Sequence, residues 1–185
     1  MKIAGFDEVG RGAWAGPLVV AGVVLDDTQQ TSFRDSKHYA PAARQRALRG
    51  AYDHAVAIGI ATVPADEIDK RGLGPSLALA FRLAQRQLGV EAEQYIVDGA
   101  INYLEHITGS RAEPKADDNY QSVAAASIVA KVHRDEFMAI AASRFGGYGF
   151  ERHVGYGTAL HRDSLHQFGV CELHRRSFKP VASMT

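Results

Sequence analysis

Cysteine is almost absent from this chain of 185 residues: Cys171 is the only one. A lone thiol excludes an internal disulfide and any zinc cluster built on cysteines. A buried, inert side chain is the expectation for it. Long apolar runs are missing too. The longest, Leu18 to Leu25, has eight residues, against the roughly 20 that cross a bilayer, so no membrane contact is expected. The first residues lack a basic stretch followed by an apolar one, and acids arrive at Asp7 and Glu8. No secretory signal is therefore expected, and a cytoplasmic location is. An excess of charge of either sign is also lacking, with 21 Lys and Arg against 21 Asp and Glu.

That balance hides an asymmetry. Residues 131–185 hold eight Lys and Arg against five acids, so the first 130 residues carry a net negative charge. A mildly basic C-terminal part facing an acid-bearing remainder suits a site that grips phosphates and holds cations. Hydrophobic content of 46% with 23% charged residues is that of an ordinary globular chain, and the length suits one domain spanning 1–185.

Lys2 to Phe6, Leu18 to Leu25, Ala55 to Val63 and Tyr95 to Gly99 read as strands. The first two are separated by a short stretch with three glycines and a proline, which predicts a hairpin. Helices are predicted from Pro64 onward, over Pro75 to Leu88, over Gln121 to Phe145 and over Ala159 to Phe168, with a Gly-rich bend at 146–157. The run Ala124-Ala125-Ala126-Ser127 would let the longest helix lie close against a sheet. Three early strands followed by alternating helix and strand predict a mixed α/β domain.

The most informative stretch is FDEVGRG, residues 6–12. Adjacent carboxylates on a regular strand point to opposite faces. For Asp7 and Glu8 to line one site, the strand is expected to end or bend there, with Gly10 and Gly12 supplying the freedom. Asp98 ends its strand and is followed by glycine, a pairing that also forms ordinary turns. Asp117 stands shortly before the long helix, where an isolated acid commonly caps the helix. Taken together, Asp7, Glu8, Asp98 and Asp117 could converge at one edge of the sheet, where ligands bind in such folds. Four clustered carboxylates need raised pKa values or bound cations. All-oxygen ligation favours Mg²⁺ or Mn²⁺, and two such ions suit in-line displacement at phosphorus.

The chain resembles ribonuclease HII, the prokaryotic type 2 ribonuclease H. The resemblance rests on FDEVGRG with Ala15-Gly16-Pro17, Asp35-Ser36-Lys37, Val97-Asp98-Gly99, Lys115-Ala116-Asp117 leading into SVAAASIVAKVHRD at 122–135, Tyr148-Gly149-Phe150, HVGYGT at 153–158 with His161, and the run from His174 to Val181. It implies a ribonuclease H-like fold, a mixed central sheet flanked by helices with a short helical C-terminal part. It also implies metal-dependent cleavage of RNA in RNA/DNA hybrids and incision of DNA 5′ to single embedded ribonucleotides, leaving 3′-hydroxyl and 5′-phosphate ends. By the same resemblance Asp7, Glu8, Asp98 and Asp117 hold the metal ions (Mg²⁺ or Mn²⁺, two of them), Gly10, Arg11 and Gly12 contact substrate, and Tyr156 works with that loop at the RNA–DNA junction. Lys37 is read as a phosphate contact, and His153, His161 and His174 as loop braces rather than metal ligands.

The chain departs from the family pattern at Val154, where many members carry lysine, and at His38-Tyr39 after Lys37. Both changes lower the basic charge offered to a duplex. The chain is expected to act as a monomer. Ala182-Ser183-Met184-Thr185 carries no apolar–aromatic peptide for a sliding clamp. A non-catalytic nucleic-acid-binding module is the rival reading, and the presence of all four acids counts against it.

Overall fold

The computed structural model describes residues 1–26, 33 and 39–184. Five strands form one mixed sheet: β1 (Lys2–Val9), β2 (Leu18–Asp26), β3 (Ala55–Val63), β4 (Gln94–Asp98) and β5 (Ser110–Glu113), in the order β3-β2-β1-β4-β5. The predicted hairpin is present, since β1 and β2 pair antiparallel, and β3 adds antiparallel to β2. The sheet changes character at β1, whose other edge pairs parallel with β4, as β4 does with β5.

The helices are α1 (Pro41–His54), α2 (Ala65–Arg71), α3 (Leu73–Leu88), α4 (Gln121–Arg144), α5 (Phe150–His153), α6 (Ala159–Phe168) and α7 (Lys179–Ala182). None of the described helices is long and apolar enough to cross a membrane. α3 buries Leu77, Ala80, Phe81, Ala84 and Leu88, the spacing of one helical face. These meet Ala4, Phe6, Val20 and Val97 on one side of the sheet. On the other side, α4 buries residues 122–130 without a break. Small side chains allow this, because α4 is covered by β1, β2 and α1 at once. Gly5 is the point of closest approach: a Cβ there would overlap the backbone of Val123 and Ser122. Ala124, Ala125, Ala126 and Ile128 complete this second core with Val19, Ala21 and Val23.

One expectation needs correction. β1 neither ends nor bends at Asp7 but runs on to Val9, with Asp7 opposite Ala21 and Glu8 opposite Val20 in regular register. The two carboxylates therefore do alternate. Asp7 lies on the side of α4, while Glu8 follows Ala4 and Phe6 toward the side of α3. What stops is the neighbour. The β1–β4 ladder ends at Phe6↔Val97, so the rest of β1, from Asp7 to Val9, presents a bare edge.

Candidate active site

That bare edge is the wall of a cavity of about 390 Å³, lined by Asp7, Glu8, Val9, Asp98, Ser127, Lys131 and Tyr156. Alternation sends Asp7 and Glu8 to different faces, but both border the opening because, among the described residues, no strand covers the edge between them. Asp98 closes β4 on the same face as Ile96, the face of Asp7, and its Oδ1 accepts the Ala116 N–H at 2.9 Å. This bond ties the strand end to the 3-10 turn Ala116–Asp118. Asp117 sits on that turn, half-buried and outside the lining of the cavity. It does not cap α4, whose N-cap is Tyr120.

The carboxylates are held under electrostatic tension. Burial, then the charges of Glu8 and Asp98, push the Asp7 carboxyl up to about 8, against the opposing help of the Ser127 hydroxyl and the Glu8 N–H. The Glu8 N–H donates to Asp7 Oδ1 at 2.8 Å. Burial raises Glu8 as well, although Arg11 pulls it back, with Arg11 Nη1 at 3.7 Å from Glu8 Oε1. Like charges crowded in a buried place favour protonation or a bound cation, and an oxygen-only donor set fits a hard divalent ion. Among the described residues, no three His, Cys, Asp or Glu side chains stand close enough as they are to hold a metal ion. The donors form an open rim.

Gly10, Arg11 and Gly12 follow β1 directly. Gly10 has φ +85, and a Cβ on it would overlap Arg134 Nε, so its need for glycine comes from the protein's own packing. Gly12 faces open space, where nothing lies within 4 Å of an added Cβ. The Arg11 side chain is 55% exposed, and its carbonyl accepts from Arg175 Nη1 at 3.1 Å. Lys37 lies outside the described residues. Cys171 is partly buried, and burial pushes its thiol up. His153, His161 and His174 all bond to loop backbone.

Sequence reasoning gave no site role to Ser127, Lys131 or Arg134. They follow one another at i, i+4 and i+7 on α4, one stripe of that helix. The available signal was the first lysine after the small apolar run 123–130, followed one turn later by an arginine. Lys131 Nζ pairs with Asp135 Oδ1 at 2.8 Å. Arg134 is fully buried and donates to the carbonyls of Pro17 (2.8 Å), Val154 (2.8 Å) and Ala15 (3.1 Å). Val154 takes φ 43, a left-handed conformation that disfavours a β-branched residue, and the bond from Arg134 helps to hold it there.

Comparison with known proteins is consistent with this geometry. A family model described as Ribonuclease HII matches residues 4–181. A Ribonuclease HII of Thermus thermophilus is 43% identical over 184 residues, covering 98% of this chain and 88% of that protein. Among solved structures, ribonuclease H2 from Pyrococcus horikoshii OT3 superposes with a TM-score of 0.85 at 27% identity, covering 100% of this chain and 97% of that one. The RNase HII of Archaeoglobus fulgidus, solved as a complex with PCNA, gives a TM-score of 0.82 at 29% identity, with 96% and 95% covered.

Proposed function

The chain belongs to the ribonuclease HII family, and from that premise we propose that it incises DNA on the 5′ side of single embedded ribonucleotides, as well as cleaving RNA in RNA/DNA hybrids, leaving 3′-hydroxyl and 5′-phosphate ends. Ribonuclease HII is a ribonuclease H, an endoribonuclease acting on RNA/DNA hybrids, and this chain is an enzyme of that kind. The finer reading is supported above all by one observation: Asp7, Glu8 and Asp98 share a single opening with Tyr156 and Lys131.

In this reading Asp7, Glu8 and Asp98 hold divalent ions, Mg²⁺ or Mn²⁺ and two in number, and Asp117 joins them from the turn bonded to Asp98. When bound, these ions supply the positive charge that the crowded carboxylates call for and the Lewis acidity for in-line displacement at phosphorus. The protein's own groups do the rest. Ser127 orients Asp7 through its hydroxyl. Lys131 and the exposed Arg11 meet phosphate oxygens, where a compact cation and a planar fork serve differently. Recognition of ribose turns on the 2′-hydroxyl alone, so it needs close donors and a rigid surface. Gly12 leaves room for that approach, and Tyr156 packs against the junction sugar. Residues 1–185 act as one ribonuclease H-like domain and as a monomer.

The test is cleavage of an end-labelled DNA duplex containing one ribonucleotide, with Mg²⁺, with Mn²⁺ and with chelator, beside an all-DNA duplex and a long RNA/DNA hybrid. Metal-dependent incision 5′ to the ribonucleotide is expected, with none of the all-DNA control. Hybrid cleavage without junction incision would overturn the roles given to Gly12 and Tyr156 and leave the metal rim standing.

A further inference from the structure

Tyr156 stands at the mouth of the carboxylate cavity on a loop with little regular structure, yet it is held from behind by an unusual set of groups. Its N–H donates to the His153 carbonyl at 2.9 Å, and its own carbonyl accepts from the Thr158 N–H at 2.8 Å. The same carbonyl lies 3.0 Å from His161 Nδ1. His161 is fully buried, and its Nε2 is 3.1 Å from Nε2 of His174, which is also buried. The far nitrogen of His174, Nδ1, accepts from the Cys171 N–H at 2.9 Å.

These contacts fix every proton. A backbone N–H can only donate, so His174 Nδ1 carries no proton and its Nε2 must. His174 then donates to His161 Nε2, which leaves the His161 proton on Nδ1, aimed at the Tyr156 carbonyl. Protonating His161 on both nitrogens would set two N–H groups head to head. Burial, the largest cause, pushes both rings down to about 4, helped at His161 by His153 and His174 and at His174 by Arg176 and His153, so both are neutral at ordinary pH. His153 stacks on His161 at 4.4 Å and 12°, with its own tautomer fixed by the Gly155 N–H. The Arg134 guanidinium lies 5.3 Å from the Tyr156 ring centroid while its N–H groups clamp three loop carbonyls.

We propose that His161, relayed by His174, and Arg134 are positioning residues for Tyr156: the neutral histidine pair holds its backbone, the buried guanidinium holds its ring, and this frame sets how strongly the enzyme prefers a single-ribonucleotide junction over a long hybrid. The proposal rests on the junction role of Tyr156 given above. None of these three residues lines the carboxylate cavity, so the frame acts on selectivity through Tyr156 and leaves the metal rim in place. A relay of fixed direction suits this work better than a single donor, because His161 cannot turn its ring without losing a partner at each end.

The experiment compares kcat/KM on a DNA duplex with one ribonucleotide and on a long RNA/DNA hybrid, with Mg²⁺ present. The variants are His161→Leu, His161→Asn, His174→Leu, Tyr156→Ala and the double variant of His161→Leu with Tyr156→Ala. His161→Leu is expected to lower the junction-to-hybrid ratio by about tenfold, the order of one lost hydrogen bond. His161→Asn, whose amide can still donate to the Tyr156 carbonyl, is expected to recover most of that ratio. Once Tyr156→Ala is present, adding His161→Leu is expected to change the ratio no further. Circular dichroism reports folding; if His161→Leu does not fold, His174→Leu, which keeps the His161 ring and removes its relay partner, carries the test with a smaller fall in the ratio. An unchanged ratio in a folded leucine variant, or an equal fall in His161→Asn, overturns the frame. If Tyr156→Ala itself leaves the ratio unchanged, the junction role of Tyr156 is what fails, and the proposal fails with it for that separate reason.

Discussion

Two neighbouring regions of this molecule solve the problem of buried polar groups in opposite ways. At the bare edge of β1, Asp7, Glu8 and Asp98 crowd like charges around one opening, and Asp7 is driven up to about 8. Behind Tyr156, the buried Arg134, Arg175, His161 and His174 are each met by a hydrogen-bond partner. The first region leaves its charge for something outside the protein to balance. The second is closed on itself, neutral or cationic, and holds loops in place. The difference teaches which groups to assign to chemistry and which to geometry: the frame's groups are at rest in their hydrogen bonds, while the site's carboxylates, although hydrogen-bonded, keep their mutual repulsion.

The largest stability effect should come from breaking the closed region. Arg175 donates to the Gly16 carbonyl through Nε (3.1 Å) and Nη2 (3.0 Å) and to the Arg11 carbonyl through Nη1. Burial, with Arg134 close by, pushes it down to about 9, still protonated at neutral pH. Arg175→Leu would leave two carbonyls unmet, at about 1–3 kcal/mol each, so a loss of roughly 2–6 kcal/mol is expected in urea unfolding. A loss under about 1 kcal/mol, less than one unmet carbonyl, would mean that the loop does not depend on this clamp.

The open region should respond to a divalent ion. Saturating Mg²⁺ or Mn²⁺ is expected to stabilise the fold by about 3 kcal/mol at a hundredfold excess over Kd, read as a rise in unfolding temperature over a chelator control. Asp7→Asn should remove most of that rise and should itself be more stable than the parent chain in chelator, because it relieves the cost of burying a carboxylate and, after that, its repulsion by Glu8 and Asp98. An equal metal-induced rise in the variant would separate Asp7 from the ion.

The sharpest contrast is in pH. His161 and His174 are pushed from 6.5 down to about 4, so between those values the unfolded chain binds protons that the folded chain does not. Their contribution is therefore full above pH 6.5 and lost as pH falls toward 4. Asp7 runs the other way: raised from 3.8 to about 8, it contributes stability at low pH that is lost as pH rises through that range. In chelator the two trends oppose each other between pH 4 and 6.5. With saturating Mg²⁺ the Asp7 trend is removed, and stability should rise more steeply with pH; identical slopes with and without the ion would count against the contrast.

Much of this was legible in the sequence, and the failures have physical causes. α6 was readable at Ala159–Phe168, and β2 and α4 to within a residue, because their apolar patterns are continuous and their ends are marked. α1 was missed because PAARQRALRGAYDH has few apolar residues to set a period. β5, Ser110–Glu113, was missed because a short polar edge strand takes its form from β4. The bend expected at Asp7 was wrong because a single strand cannot reveal where its neighbour stops. The parallel pairing to β4 decides that, and β4 lies half the chain away from β1. Ser127, Lys131 and Arg134 went unassigned because Ser127 sits within the fully buried run 122–130, while Lys131 and Arg134 stand among His133, Asp135 and Glu136, which read as an ordinary charged helix surface. The resemblance to a family named the acids; the topology explains why three of them meet.

The measurement closest to the centre of this account is incision of the one-ribonucleotide duplex by purified Asp7→Asn protein, with Mg²⁺ and with Mn²⁺, and with duplex binding followed on the same sample. Binding close to that of the parent chain with incision no higher than in chelator is expected, because under the proposed function the variant keeps the duplex-binding surface and loses a carboxylate that holds the ion. Incision at the parent rate by folded Asp7→Asn would contradict the assignment of the carboxylate rim as the catalytic site.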